Sequence, residues 1–182
     1  MLLAETGTET PGMDEELLAN EVLGKGLPAE VERLLREAGR AYAEDEVAEL
    51  YLEEARRLAP DHAAVSIAFY RFYFYKGRLR EALGVARTCL AKAAADLGLS
   101  PQSVCTWRTV TREDAAFQTD DAVLPRFYLF TLKGYAYLQM RLGNLDEGRE
   151  AAMKLMELDP SNKLGATVLL EVLDRMGRDE QD

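Results

Sequence analysis

The chain has 182 residues, 48% hydrophobic and 30% charged, with a formal net charge of −10, a soluble composition that excludes disorder throughout. Its acidity argues against a nucleic-acid partner, because neutralising phosphates takes a basic surface, and no apolar run approaches the roughly 18 residues of a membrane span. Two cysteines, Cys89 and Cys105, with a single histidine, His62, offer neither a disulfide framework nor a paired-ligand metal site and fit a reducing cytoplasm.

Residues 1–12, MLLAETGTETPG, carry no base and no long apolar stretch; they are expected to be a disordered lead-in rather than a secretory signal, ahead of one domain over 13–177. Charge along the chain is uneven: 15 acids face 6 bases over residues 1–60, 3 face 8 over 61–112, and 14 face 8 thereafter. A mildly basic middle is flanked by acidic ends. The stretch VERLLREAGRAYAEDEVAELYLEEARRLAP predicts a first helix pair that turns near Glu44 and Asp45 and closes at Pro60.

Next comes FYRFYFY, residues 69–75, with six aromatic side chains in seven positions. Its flanks, AAVSIA and LREALGVA, are helix formers, and no second strand is in view for a strand to pair with. On a helix, Val65, Phe69, Phe72 and Tyr73 share one face and are expected in the core, while Ile67, Arg71, Phe74 and Tyr75 fall on another. Asp61 is the expected cap of this helix, and His62 is expected to face solvent. A second helix, LREALGVARTCLAKA, follows Gly77.

Residues 94–126 mix Ser, Thr, Pro and Asp with Trp107, the only tryptophan, and predict an inserted loop. Such length inside a compact domain signals a function or disorder. The insert either folds back to cap a binding groove or presents Trp107 and Phe117 to a partner, capping being favoured because an exposed tryptophan costs solubility. Then LPRFYLFTLKGYAYLQM and RLGNLDEGREAAMKLMELDP make a third pair. In it Gly143 ends one helix, Gly148 lets the paired helix approach closely, and Pro160 follows the second. SNKLGATVLLEVLDRMG predicts a closing amphipathic helix, and 178–182 a disordered tail.

Gly143, Leu145, Gly148, Leu155 and Pro160, matched earlier by Gly77, Leu79, Ala82 and Cys89 and by Ala48, Ala55 and Pro60, carry the spacing of a helix-turn-helix repeat of about 34 residues. Over about residues 30–177 the chain resembles the tetratricopeptide repeat family. The resemblance implies an all-α helical-repeat solenoid of about three helix-turn-helix units plus a C-terminal capping helix. It also implies that first helices line a concave groove, which places Ile67, Arg71, Phe74 and Tyr75 there from the second unit, and Phe130, Lys133, Tyr137, Met140 and Arg141 from the third. The family's carboxylate clamp for chaperone C-termini needs Asn where Arg71 and Tyr137 stand, so that partner class is not expected. The pairing of FYRFYFYKGRLREAL with VLPRFYLFTLKGYAYLQMRLG is also similar to small tetratricopeptide proteins encoded near nitrogen-fixation genes of proteobacteria, which implies a role in assembling or protecting nitrogenase.

The expected function is therefore a non-enzymatic scaffold, adaptor or chaperone-like factor whose aromatic and basic groove takes an acidic protein or peptide segment. Two alternatives stay open: the acidic N-terminal helices cover the groove, or the aromatic faces are core and the self-association surface of a homodimer. No catalytic residue, metal or cofactor is expected. There is no Gly-rich phosphate loop, no metalloprotease helix and no nucleophile elbow. Cys105 lacks a base near it in sequence, Cys89 occupies a packing position, and the acidic clusters lack calcium-loop spacing.

Overall fold

The computed structural model describes residues 26–99, 107–115, 117 and 123–179. Among them are seven α-helices, one short 3-10 turn and no strand. Acids open the first two helices and arginines close them, as the helix dipole favours: α1 (Ala29–Arg40) starts with Glu30 and Glu32 and ends on Arg40, and α2 (Asp45–Leu58) starts with Asp45 and Glu46 and ends with Arg56 and Arg57. Pairs three residues apart, Arg33 with Glu30 and Arg57 with Glu54, line their solvent faces. Such exposed pairs add only a few tenths of a kcal/mol each.

The aromatic run forms α3 (Ala63–Tyr75), which pairs with α4 (Leu79–Asp96). The turn between them is the predicted one. Gly77 takes φ +70°, its N–H donates to the Phe74 carbonyl at 3.0 Å, and the Arg78 N–H donates to Tyr73 at 2.9 Å, which satisfies carbonyls that the helix end leaves without partners. Gly143 (φ +82°) repeats this arrangement between α5 (Val123–Arg141) and α6 (Leu145–Leu158), with Asn144 N–H on the Gln139 carbonyl at 2.9 Å. The last helix, α7 (Ala166–Asp179), packs on α6. The result is an all-α helical repeat of three helix pairs and a closing helix.

The positions predicted for close packing are buried in all three pairs: Ala48 and Ala55, Ala82 and Cys89, Gly148 and Leu155. At Gly148 the reason is visible, since a Cβ there would lie 3.1 Å from the Ala136 carbonyl oxygen and 3.2 Å from the Met140 nitrogen. Helix α3 divides two cores. Val65, Phe69 and Phe72 join Val31, Leu34 and Leu52 on one side, while Ile67, Tyr70 and Phe74 pack against the larger cluster built around Tyr128, Leu132 and Leu155. A helix apolar on two sides is what a middle unit needs. Charge complementarity supports the same junction, with Lys76 on Asp45 at 2.7 Å and Arg78 on Glu49 at 2.9 Å.

Several expected boundaries are corrected. Helix α4 continues through Asp96, past the expected start of the insert at 94, because the alanine-rich AKAAAD stays helical with Ala93 and Ala94 buried, and α5 is already helical at Val123, before 126. At the other end Pro125 sits in the first turn of α5, where the N–H it lacks would have no intrahelical acceptor. The closing helix starts at Ala166, not Ser161, since buried Asp159 accepts from the Ser161 hydroxyl at 3.0 Å and the Leu164 N–H at 2.9 Å and holds a turn there. It runs through Asp179, so two residues of the expected tail are helical. His62, not Asp61, caps α3: its Nδ1 accepts from the Ala64 N–H at 3.2 Å. The lead-in 1–12, Cys105 and the acidic pair Asp120 and Asp121 lie outside the described residues.

Candidate functional site

Side chains at i, i+3, i+4 and i+7 share a helix face, and on α3 this rule lines up Ile67, Tyr70, Arg71 and Phe74, and on α5 Phe130, Lys133, Gly134, Tyr137 and Arg141. The two helices meet ring to ring. Phe74 lies on Tyr137 with centroids 5.7 Å apart, Tyr70 stacks on Phe74 at 5.8 Å, and Tyr75 meets Phe74 edge-on at 5.4 Å. Gly134 makes room for this, because a Cβ there would stand 2.8 Å from the Tyr70 hydroxyl. The rings close the seam between α3 and α5, leaving Phe74 and Tyr137 half-buried and Tyr75 50% exposed.

Cations flank that seam. Arg71 and Lys133 are the chain neighbours of Tyr70 and Gly134, and no described carboxylate pairs with either. Arg71 is exposed and Lys133 half-exposed. Arg141 donates to the Tyr137 hydroxyl at 2.7 Å and lies 5.6 Å from that ring's centroid, also without an acid. Lys76, Arg78, Arg108 and Arg149 meet carboxylates, while Arg80, Arg87 and Arg112, like the seam cations, form no ion pair among the described residues; the seam differs in setting its cations beside half-exposed rings. Met140, predicted in the same set, is buried beside Gly148 and is withdrawn from this face.

Trp107 belongs to a different surface. It is 6% exposed, in a 3-10 turn (Trp107–Thr109), with its ring 6.0 Å from that of Tyr135. Tyr135 and Tyr137 are two residues apart on a helix and so point about 200° apart. Residues 107–115 therefore pack on the side of α5 opposite the seam, with the Trp107 ring buried against Tyr135. Arg108 pins them to α6 through Glu147 and through Glu150 at 2.9 Å, and the Lys154 ammonium donates to the Val110 carbonyl at 3.1 Å. Phe117 adds a ring contact to Tyr128 at 5.7 Å.

Beneath Arg108 runs a part-buried polar chain that the sequence did not flag. The Tyr135 hydroxyl donates to Glu147 and accepts from Gln139 at 2.8 Å, while Asn144 donates to the Gln139 carbonyl oxygen at 2.8 Å. Burial, then the Glu147 carboxylate, pushes the Tyr135 phenol above its ordinary range. Burial also pushes up the Cys89 thiol, which makes it a poor nucleophile. The open side of α6 carries a shallow depression of about 550 Å³ lined by Trp107, Arg108, Met153, Lys154 and Met156. The methionine spacing in AAMKLMEL, off the buried Ala152 and Leu155 stripe, was the available signal for it. No group of three metal-ligating side chains lies together among the described residues, and none of their helices is long and apolar enough to cross a membrane.

Over 137 residues the chain is 39% identical to the uncharacterized 19.8 kDa protein in the nifW 5' region of Azotobacter chroococcum mcd 1, a match covering 75% of this chain and 74% of that one. No family model matches. No solved structure matches.

Proposed function

We propose a function from the premise that the chain belongs to the family of that nifW-region protein: it is a non-enzymatic docking scaffold that serves nitrogen fixation by holding an acidic protein segment on the α3–α5 face. We read its three helix pairs as tetratricopeptide-type units, since Ala48, Ala82 and Gly148 are buried at matching offsets. The observation that carries the docking reading is the set of cations without acids, Arg71, Lys133 and Arg141, beside half-exposed aromatic rings in a protein of net charge −10. An acidic chain that leaves clustered cations without carboxylates keeps them for carboxylates that arrive from elsewhere. Arginine and tyrosine are also the side chains that dominate binding surfaces, where truncating one costs about 2 kcal/mol or more.

The test is capture of partners from extract of the source organism grown on dinitrogen, comparing the wild type with Arg71→Glu, Lys133→Glu shown by circular dichroism to be folded. Expected is a protein of the nitrogen-fixation machinery, held by the wild type and lost by the variant. Identical recovery by both, or recovery by neither, overturns the reading. A mass in sedimentation that grows with concentration would assign the face to self-association.

A further inference from the structure

The α3–α5 face sets its charges and its rings in a definite order along the seam. We propose that it reads an extended segment of a partner protein in which two carboxylates four residues apart flank an apolar side chain at the midpoint, the pattern acid-x-apolar-x-acid. This rests on the docking reading above and names the partner chemistry that the same face selects.

Helices α3 and α5 are separated by one intervening helix and run parallel, since Tyr70 faces Gly134 and Phe74, one turn on, faces Tyr137. With a rise of about 1.5 Å per residue, Arg71 and Lys133 lie within about 3 Å of one level on the two sides of the seam. Arg141 lies about 12 Å beyond Lys133 along α5. Between these levels stand the rings, Phe74 on Tyr137 with centroids 5.7 Å apart and Tyr75 half-exposed at the edge. The order is a cation pair, an aromatic step and a single cation. Arg141 is held in place before any partner arrives, because it donates to the Tyr137 hydroxyl at 2.7 Å and lies over that ring, which reduces the rotamer freedom lost on binding.

Spacing selects the backbone of the occupant. An extended chain rises about 3.3 Å per residue and turns alternate side chains to one face, so side chains i, i+2 and i+4 fall at about 0, 7 and 13 Å on the same side. These steps meet the cation pair, the rings and Arg141 in turn. A helical occupant can place residues i and i+7 about 10 Å apart, but it has to bury an apolar stripe at least about 100° wide. Between its cations the face is one ring wide, because Phe74 and Tyr137 half-bury each other and Arg71 and Lys133 stand directly beside them. Charge fixes the ends of the pattern. Arg71, Lys133 and Arg141 have no carboxylate at ion-pair distance among the described residues, so the outer positions take acids, and the middle position takes an apolar side chain against Phe74 and Tyr75.

The probes are labelled peptides, offered to the full-length protein at low ionic strength and followed by fluorescence anisotropy. GSESFSESG carries the pattern, GSSEEFSSG has the same composition without the spacing, and a cross-linked helical peptide carries two acids seven residues apart. The patterned peptide is expected to bind at least about fivefold more tightly than the other two. Arg71→Ala and Arg141→Ala, each shown by circular dichroism to be folded, are expected to weaken it about threefold to fivefold, the range of one solvent-exposed ion pair. Replacing either glutamate of the peptide by glutamine is expected to make binding indifferent to one of these two substitutions, a different one for each glutamate. Equal binding of the patterned and rearranged peptides, tighter binding of the helical one, no binding of the patterned peptide, or binding that ignores both arginines overturns the inference. A sedimentation mass that grows with concentration in the wild type and not in Arg71→Ala also overturns it, by making a second copy the occupant. The docking reading is judged separately by partner capture with Arg71→Glu, Lys133→Glu: a partner lost by that variant while the peptides fail leaves docking standing and the pattern refuted.

Discussion

Two helical glycines with opposite surroundings give a sharp test of how the repeat packs. Gly84, on the open side of α4, would place a Cβ with nothing within 4 Å, whereas at Gly148 the same atom meets the Ala136 oxygen at 3.1 Å and the Met140 nitrogen at 3.2 Å. Both substitutions to alanine gain about 0.5–1 kcal/mol of helix propensity. Gly84→Ala is expected to keep that gain. Gly148→Ala also forces α6 away from α5, and because both contacts are backbone, no side chain can swing aside. Overpacking of this kind costs about 1–3 kcal/mol, so the two variants should differ by roughly that amount. For a chain of this size each kcal/mol moves Tm by about 2–4 °C, and the gap is readable by urea and thermal denaturation followed by circular dichroism. If both variants are stabilised equally, α5 and α6 are not in the close contact described, and the shared reason for Ala48, Ala82 and Gly148 falls with it.

Other outcomes follow from the insert and from buried groups. Trp107→Ala removes a core-sized ring, a change of about 3–5 kcal/mol in a packed interior; trypsin cleavage at Arg108 and Arg112 should quicken at least about tenfold as the insert opens locally, and unchanged cleavage would show that the ring does not hold it. Raising pH should destabilise the fold. The Cys89 thiol and Tyr135 phenol are held above their ordinary values of 9.0 and 10.0, chiefly by burial. The folded chain thus keeps protons that the unfolded chain releases first. The stabilisation is full below about pH 9 and is lost as pH rises through the native values. The urea midpoint should fall between pH 8.5 and 10.5, with a shallower fall in Cys89→Ala; a flat midpoint would refute the burial of both groups.

The helices, their pairing and the glycine turns were legible because they depend on local chemistry. Gly77 and Gly143 adopt positive φ where the repeat spacing put them, and small residues are buried where helix had to meet helix. Boundaries misread were those fixed by a single side chain. Buried Asp159 delays α7, and His62, through one nitrogen on the Ala64 N–H, takes the cap that composition assigned to Asp61. Neither interaction has a periodic signature.

The candidate face was half legible. Helical period alone put Arg71 and Phe74 on one stripe, and Lys133 and Tyr137 on another, but a stripe does not say what it meets. The fit of Tyr70 into the space left by Gly134 joins residues 64 apart in sequence, and it turns two stripes into one surface. The same tertiary contacts withdrew Met140 behind α6 and sent Trp107 to the far side of α5. Local periodicity determined which residues share a helix face, because that depends on 3.6 residues per turn. Which faces touch, and so which side chains remain to bind, was decided by packing between helices, where ring shape and a missing Cβ set the spacing.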